Sequence, residues 1–296
     1  MAATRGLLAN LMGASIAAVL SLICAPPSLA QSNAALPAAC GEVVAVETHD
    51  RTTTRYALAY PQGVHAEGGG IALVLLSGRG GYLNLDEQGC PRALIGNSLV
   101  RSVPHFHNAG LITALVDAPS NHTGSEGLGG FRVSTQHAND LGKVIADLRE
   151  RTRASIWLVG TSRGSISAVN AAARLAGPSS PEGLVLTSAL MAGTSGGRMT
   201  WTAHTVFDLA LEAIRLPILV VGHASDRCLR SPANLMGRIV ARTNGAREQV
   251  VIVTGGPGTP GAADLNACEG LTPHGFIEQE AAVAAGIARF IRGGSY

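Results

Sequence analysis

Lysine is almost missing from this chain: Lys143 is the single one among 22 basic residues. Charge of any kind is sparse, at 14% against 46% apolar residues, which excludes a disordered charged tail and a charge-laced coiled coil. Basic and acidic residues nearly cancel, 22 against 20, with no block of one sign. That excludes a partner held by bulk electrostatics, such as duplex DNA. Aromatics, at 4%, are too few for a deep apolar tunnel that would take long lipid chains. Past residue 30 no uncharged apolar stretch is long enough to span a bilayer, so a multi-span membrane protein is excluded. Glycine is what the chain has in excess, 37 residues, and it promises many tight turns.

Residues 1–30 read as a secretory signal. Arg5 opens it, Leu7 to Cys24 is apolar apart from a few small polar residues, and Ser28-Leu29-Ala30 offers small residues at a cleavage site. The expectation is a mature chain from 31 to 296, exported to the periplasm or beyond, without a stable membrane span. Four cysteines then remain, Cys40, Cys90, Cys228 and Cys268, an even count that suggests two disulfides with three possible connectivities. No pair has the close spacing of a structural zinc site, so no metal is expected.

Eight short β-rich runs follow. Glu42–Thr48 and Thr52–Tyr60 are separated by a few polar residues and read as a hairpin. The others are Ile71–Leu76, Leu111–Val116, Ser155–Val159, Leu184–Thr187, Ile218–Val221 and Gln249–Val253. These are nearly continuous Val, Ile and Leu, as strands buried on both faces of a parallel sheet require. Helical periodicity fills the gaps at Asn97–Asn108, Val133–Arg151, Ser165–Leu175, Thr205–Ile214, Pro232–Arg242 and Phe276–Ile291. The alternation predicts one α/β domain built on a doubly wound, mostly parallel, eight-stranded sheet. The stretch Met191–Leu216 is short, so any cap is minimal.

Gly160-Thr161-Ser162-Arg163-Gly164 is a G-x-S-x-G between a strand and a helix, the setting in which a serine is thrust out on a sharp elbow. Gly193-Thr194-Ser195-Gly196-Gly197 matches the same pattern, but no clean helix follows it, and it ranks below Ser162. A serine needs a base to take its proton. His274, just before the last helix, is the first candidate, with His223 behind it. Asp226, past the seventh strand, is the matching acid, ahead of Asp208 and Asp264. The chain order Ser162, Asp226, His274 suits a strand–elbow–helix scaffold. Cys228 is two residues past Asp226 and Cys268 six before His274, so pairing them would tie the acid loop to the base loop. Closing such a loop of about 40 residues stabilises by roughly 4 kcal/mol. Cys40 would then pair with Cys90. Oxyanion donors are expected from the backbone N–H of Arg163 and of Arg79 in Ser77-Gly78-Arg79-Gly80-Gly81. That loop lacks the Gly-Lys-Ser/Thr ending of a phosphate-binding loop, so no nucleotide cofactor is expected.

On these residues the chain resembles the α/β-hydrolase superfamily over 42–292, and more narrowly its exported bacterial esterase-like members with a minimal lid. The resemblance implies a triad of Ser162, Asp226 and His274 working without metal or organic cofactor through an acyl-enzyme that water cleaves. The expected activity is hydrolysis of small or modest carboxylic esters. A peptidase, amidase or thioesterase on the same triad, or a non-catalytic binding protein of this fold, are the alternatives. Arg79, Arg163 and His122 around the pocket would favour an anionic substrate.

Overall fold

A computed structural model describes residues 40–64, 69–194, 200–258 and 261–296. The expected signal segment 1–30, and Ser195-Gly196-Gly197 of the second G-x-S-x-G, lie outside the described residues.

Strands that must bury both faces have to sit in the middle of a layered domain, and that is where the Val/Ile/Leu runs are found. The exception is Gln249–Val253, which forms an edge strand with Val250 and Ile252 exposed, because none of the described residues covers that face. The eight strands are β1 (Glu42–Glu47), β2 (Thr53–Ala59), β3 (Ile71–Leu76), β4 (Ile112–Val116), β5 (Ser155–Thr161), β6 (Gly183–Thr187), β7 (Ile218–His223) and β8 (Glu248–Val253). They form one sheet in the order β1-β2-β4-β3-β5-β6-β7-β8. Only β2 runs against the rest, pairing antiparallel with β1 and β4, and every later pairing is parallel. Alternate residues of the inner strands feed two cores. Ala72, Val74, Ile156 and Leu158 enter one, against α2 (Thr135–Thr152) and α3 (Gly164–Arg174). Leu73, Leu75, Trp157 and Val159 enter the other, with α5 (Glu280–Ile291) and Phe106 of α1 (Ser98–Asn108).

Sheet order creates the crevice. From β3 the chain crosses through α1 to β4 on one side, then returns through α2 to β5 on the other. The loops leaving β3 and β5 therefore diverge, which is where open α/β sheets take ligands.

Helix starts follow capping chemistry. Asn97 Oδ1 accepts from the Leu99 N–H at 3.0 Å, and Ser134 Oγ from the His137 N–H at 3.0 Å. α5 begins at Glu280 rather than at Phe276, because Phe276 and Glu278 adopt positive φ (53° and 63°) and break the helical path. Two expected helices do not form over their spans. Thr205–Ile214 forms two 3-10 turns, Val206–Asp208 and Leu211–Ala213. Asp208 accepts from the Thr205 N–H while Thr205 accepts from the Phe207 N–H, which closes a single turn, and Leu209 is extended beyond it. Pro232–Arg242 gives a 3-10 turn at Ala233–Leu235 and a four-residue α4, Gly237–Val240. The described part of Met191–Leu216 contains only 3-10 turns. Among the described residues no helix is long and apolar enough to cross a membrane.

Two disulfides form, Cys40–Cys90 and Cys228–Cys268, in the connectivity expected.

Candidate active site

Ser162 sits one residue past β5 with φ +50°, a left-handed conformation that a side chain adopts only under constraint. The constraint is visible. Its N–H donates to the Thr187 carbonyl of β6 at 3.0 Å, and its own carbonyl accepts from the Ser165 N–H (3.0 Å) and hydroxyl (2.5 Å). The flanking glycines permit this turn. A Cβ on Gly160 would lie 2.6 Å from the Gly164 carbonyl oxygen, and one on Gly164 would lie 2.0 Å from that of Leu76. Strand, elbow and helix can pass this closely only without side chains there.

His274 is held at every point but one. Its N–H donates to Thr272 Oγ1 (3.2 Å) and its carbonyl accepts from Ser188 Oγ (2.7 Å). Nδ1 lies 2.9 Å from Asp226 Oδ2, and both side chains are almost fully buried. Asp226 Oδ1 accepts from the Cys228 N–H at 2.8 Å. An ionised carboxylate only accepts, so the imidazole proton sits on Nδ1. Nε2 is buried and has no protein partner. The same cavity, about 490 Å³, is lined by Ser162 and His274. Ser162, Asp226 and His274 are thus brought to one place. Donor atoms of Asp226, Cys228 and His274 lie within 4.8 Å of one another, yet they make a poor metal site: Cys228 is spent in its disulfide and the other two bind each other.

The remaining candidates are committed elsewhere. His223 Nδ1 accepts from the Ser225 N–H, and Nε2 meets the Gly255 carbonyl and Gln279. Asp208 caps its turn, and Asp264 accepts from the Ala267 N–H.

Arg163 is the first residue after the elbow and stands at the start of α3. Arg79 stands in a tight turn with φ +48°, closed by the Gly81 N–H donating to the Gly78 carbonyl at 3.0 Å. Their side chains do not form the anion-binding cluster expected of Arg79, Arg163 and His122. Arg79 is paired with Glu269. Arg163 does not line the cavity; burial, then the neighbouring Arg230, pushes its guanidinium down to about 10, with Glu126 acting against them. His122 stacks on Phe131 at 4.2 Å, and burial lowers its pKa.

Three residues that periodicity and motif do not single out hold the site together. Ser188 carries the His274 carbonyl. Arg101 of α1 donates to the carbonyls of Gly96, Gly270 (2.9 Å) and Gly275 (2.7 Å) and pairs with Glu280 at 2.7 Å, clamping the loop that bears His274. Arg132 is fully buried and donates to the carbonyls of Ser77 (3.1 Å) and Arg79 (3.2 Å) and to Ser167 Oγ (2.7 Å). It fixes the loop after β3 from behind.

No protein-family model matches the sequence, and no curated protein resembles it significantly. Solved structures do resemble it. Dienelactone hydrolase from Anabaena variabilis is 16% identical with a TM-score of 0.52, over 86% of this chain and 99% of that one. Est1E from Butyrivibrio proteoclasticus is 12% identical with a TM-score of 0.55, over 85% and 98%. A butyrate-bound thermophilic esterase from Thermogutta terrifontis is 13% identical with a TM-score of 0.54, over 86% and 94%. With its eight-stranded, mostly parallel sheet and these structural neighbours, the chain has the α/β-hydrolase fold.

Proposed function

We propose that the protein is an exported serine hydrolase that cleaves carboxylic esters through an acyl-enzyme on Ser162. The observation that carries this reading is His274. Its Nδ1 is bound to buried Asp226, its Nε2 is left without a hydrogen-bond partner, and His274 and Ser162 line one cavity.

The chemistry follows from that geometry. His274 Nε2 takes the Ser162 proton as Oγ attacks the ester carbonyl. Asp226 holds the tautomer and stabilises the imidazolium that forms. The backbone N–H groups of Arg163 and Arg79 receive the developing oxyanion, with Arg132 fixing the second of them in place. The imidazolium returns its proton to the leaving alcohol, and a water activated by the same nitrogen then releases the acid. The base must be neutral, so activity falls on acidification. No metal or organic cofactor enters these steps, and the partner is a small-molecule ester rather than a nucleic acid. The structural neighbours include proteins described as a dienelactone hydrolase and an esterase, which agrees with ester cleavage. Export agrees with the two disulfides, which persist in oxidising compartments.

The test is a fluorophosphonate probe on residues 31–296 with disulfides formed, the adduct mapped by mass spectrometry, then a panel of esters, amides and thioesters. An adduct on Ser162 that is lost in His274→Ala is the expected result. An adduct on Ser195, or none from folded protein, would overturn the assignment.

A further inference from the structure

Apolar side chains on this molecule are exposed unevenly. Of the six large ones exposed among the described residues, Ile95 (69%) and Leu271 (62%) line the cavity beside Ser162. Leu265 (54%) is on the turn that carries Cys268, also a lining residue, and its carbonyl accepts from the Cys268 N–H at 3.2 Å. Leu229 (50%) is joined to that turn through its N–H, which donates to the Asp264 carbonyl at 3.2 Å. Scattered exposed leucines mean little, but two at one opening, with two more on the loops joined to its Cys268 side, make a surface that water covers at a cost.

Apart from Ser162 and His274, the charged and hydroxyl side chains of the cavity are already engaged. Among the described residues Arg79 and Glu269 are the only Arg, Lys, Asp or Glu lining it, and they pair with each other. Asn97 Oδ1 caps α1, and the Ser98 and Thr161 hydroxyls lie 3.3 Å apart and bond to each other. A charged substrate group would have to break one of these pairings. An apolar group would find Leu94, Ile95 and Leu271, with Leu271 packed over Gly96.

Building on the ester-hydrolase reading, we propose that the preferred substrates are uncharged esters with an extended apolar group, laid against Leu94, Ile95 and Leu271 and running out over the open rim towards Leu265. This enlarges the expectation of small esters without requiring a tunnel, since the apolar surface is at the mouth.

Two ester series test this: p-nitrophenyl esters from acetate to decanoate, and acetates of alcohols of rising length. In at least one series kcat/KM rises about two- to fourfold per added methylene until the rim is covered, the upper value being that of a fully buried methylene. Ile95→Ser with Leu271→Ser, both at exposed positions, lowers the ratio for the longest over the shortest ester at least tenfold. The p-nitrophenyl hemisuccinate is turned over at least tenfold less well than the butanoate. Flat or falling profiles in both series, an unchanged ratio in the double variant, or equal use of the hemisuccinate would each overturn the proposal. If no ester is turned over and Ser162 does not label, the ester-hydrolase reading itself fails, which is a separate outcome.

Discussion

Two histidines of this protein are held by buried carboxylates in nearly the same way. His274 Nδ1 lies 2.9 Å from Asp226, and His49 Nδ1 lies 2.6 Å from Asp140, with all four side chains almost fully buried. His49 is held further by its N–H, which donates to Asp140 Oδ1 at 2.9 Å. The difference is at the other nitrogen. His49 Nε2 accepts from Asn121 Nδ2 at 2.9 Å, and its ring packs 4.8 Å from Phe131. His274 Nε2 has no partner, and His274 lines a cavity together with Ser162, whose φ is +50°. A buried carboxylate orients an imidazole and fixes its tautomer in both places. Only the nitrogen that is left over can act as a base. One pair locks the β1–β2 turn to α2, and the other leaves a ring nitrogen unengaged, as the proposed base requires.

The largest expected effect separates the two pairs outright. Ser162→Ala and His274→Ala lower kcat on a p-nitrophenyl ester by roughly 10⁴-fold or more. His49→Ala leaves kcat/KM within about threefold and instead lowers the unfolding midpoint. Equal activity losses in His274→Ala and His49→Ala would erase the distinction. Next come the acids. Asp226→Asn keeps the shape but supports the wrong tautomer, so kcat falls by about 10³ to 10⁴ with KM little changed. Asp140→Asn costs about 2 kcal/mol in a urea unfolding experiment and spares kcat, because it weakens a charge-assisted hydrogen bond remote from Ser162.

How far these roles could be read from sequence depends on what kind of information each one carries. The strands were legible because burial on both faces leaves an uninterrupted apolar run, and β3 matches its expected span, Ile71–Leu76. Ser162 was legible because strand, glycines and helix are contiguous in the chain, and Asp226 and His274 because this fold places them at strand ends. The Asp140–His49 pair spans 91 positions and leaves no local pattern. Arg132 and Arg101 are equally silent: an arginine in a loop or helix reads as surface charge, and only the folded chain shows that its donors end on carbonyls of the loops beside Ser162 and His274. Thr205–Ile214 misled because its apolar spacing reflects packing into the core, with Val206 and Leu211 buried, while Asp208 closes the turn early.

The two arginines extend the comparison to the loops. Arg132→Met removes the donors behind Ser77 and Arg79 without removing bulk. We expect kcat to fall by about 10 to 100 times, less than the loss of an oxyanion donor itself, with KM within twofold. A change confined to stability would place Arg132 with Asp140 rather than with Asp226.

The smallest effect concerns a third buried histidine, His137, which has no carboxylate at all. Its Nε2 lies 2.8 Å from Ser167 Oγ, which also accepts from Arg132. Burial, then the charge of Arg132, pushes its pKa down to about 3. The unfolded chain binds a proton at the ordinary value near 6.5 while the folded chain does not. Between those limits unfolding takes up a proton. Stability from this site is therefore complete above about pH 6.5 and is lost as pH falls towards 3, at about 1 kcal/mol per pH unit. His107 and His122 are lowered in the same direction and add to the slope, so the contribution of His137 is read as a difference. Urea midpoints from pH 7 to 4 should fall more steeply for the wild type than for His137→Gln, whatever offset the substitution itself imposes. Parallel slopes would mean that His137 is protonated inside the fold, and that a buried histidine here needs no carboxylate to carry charge.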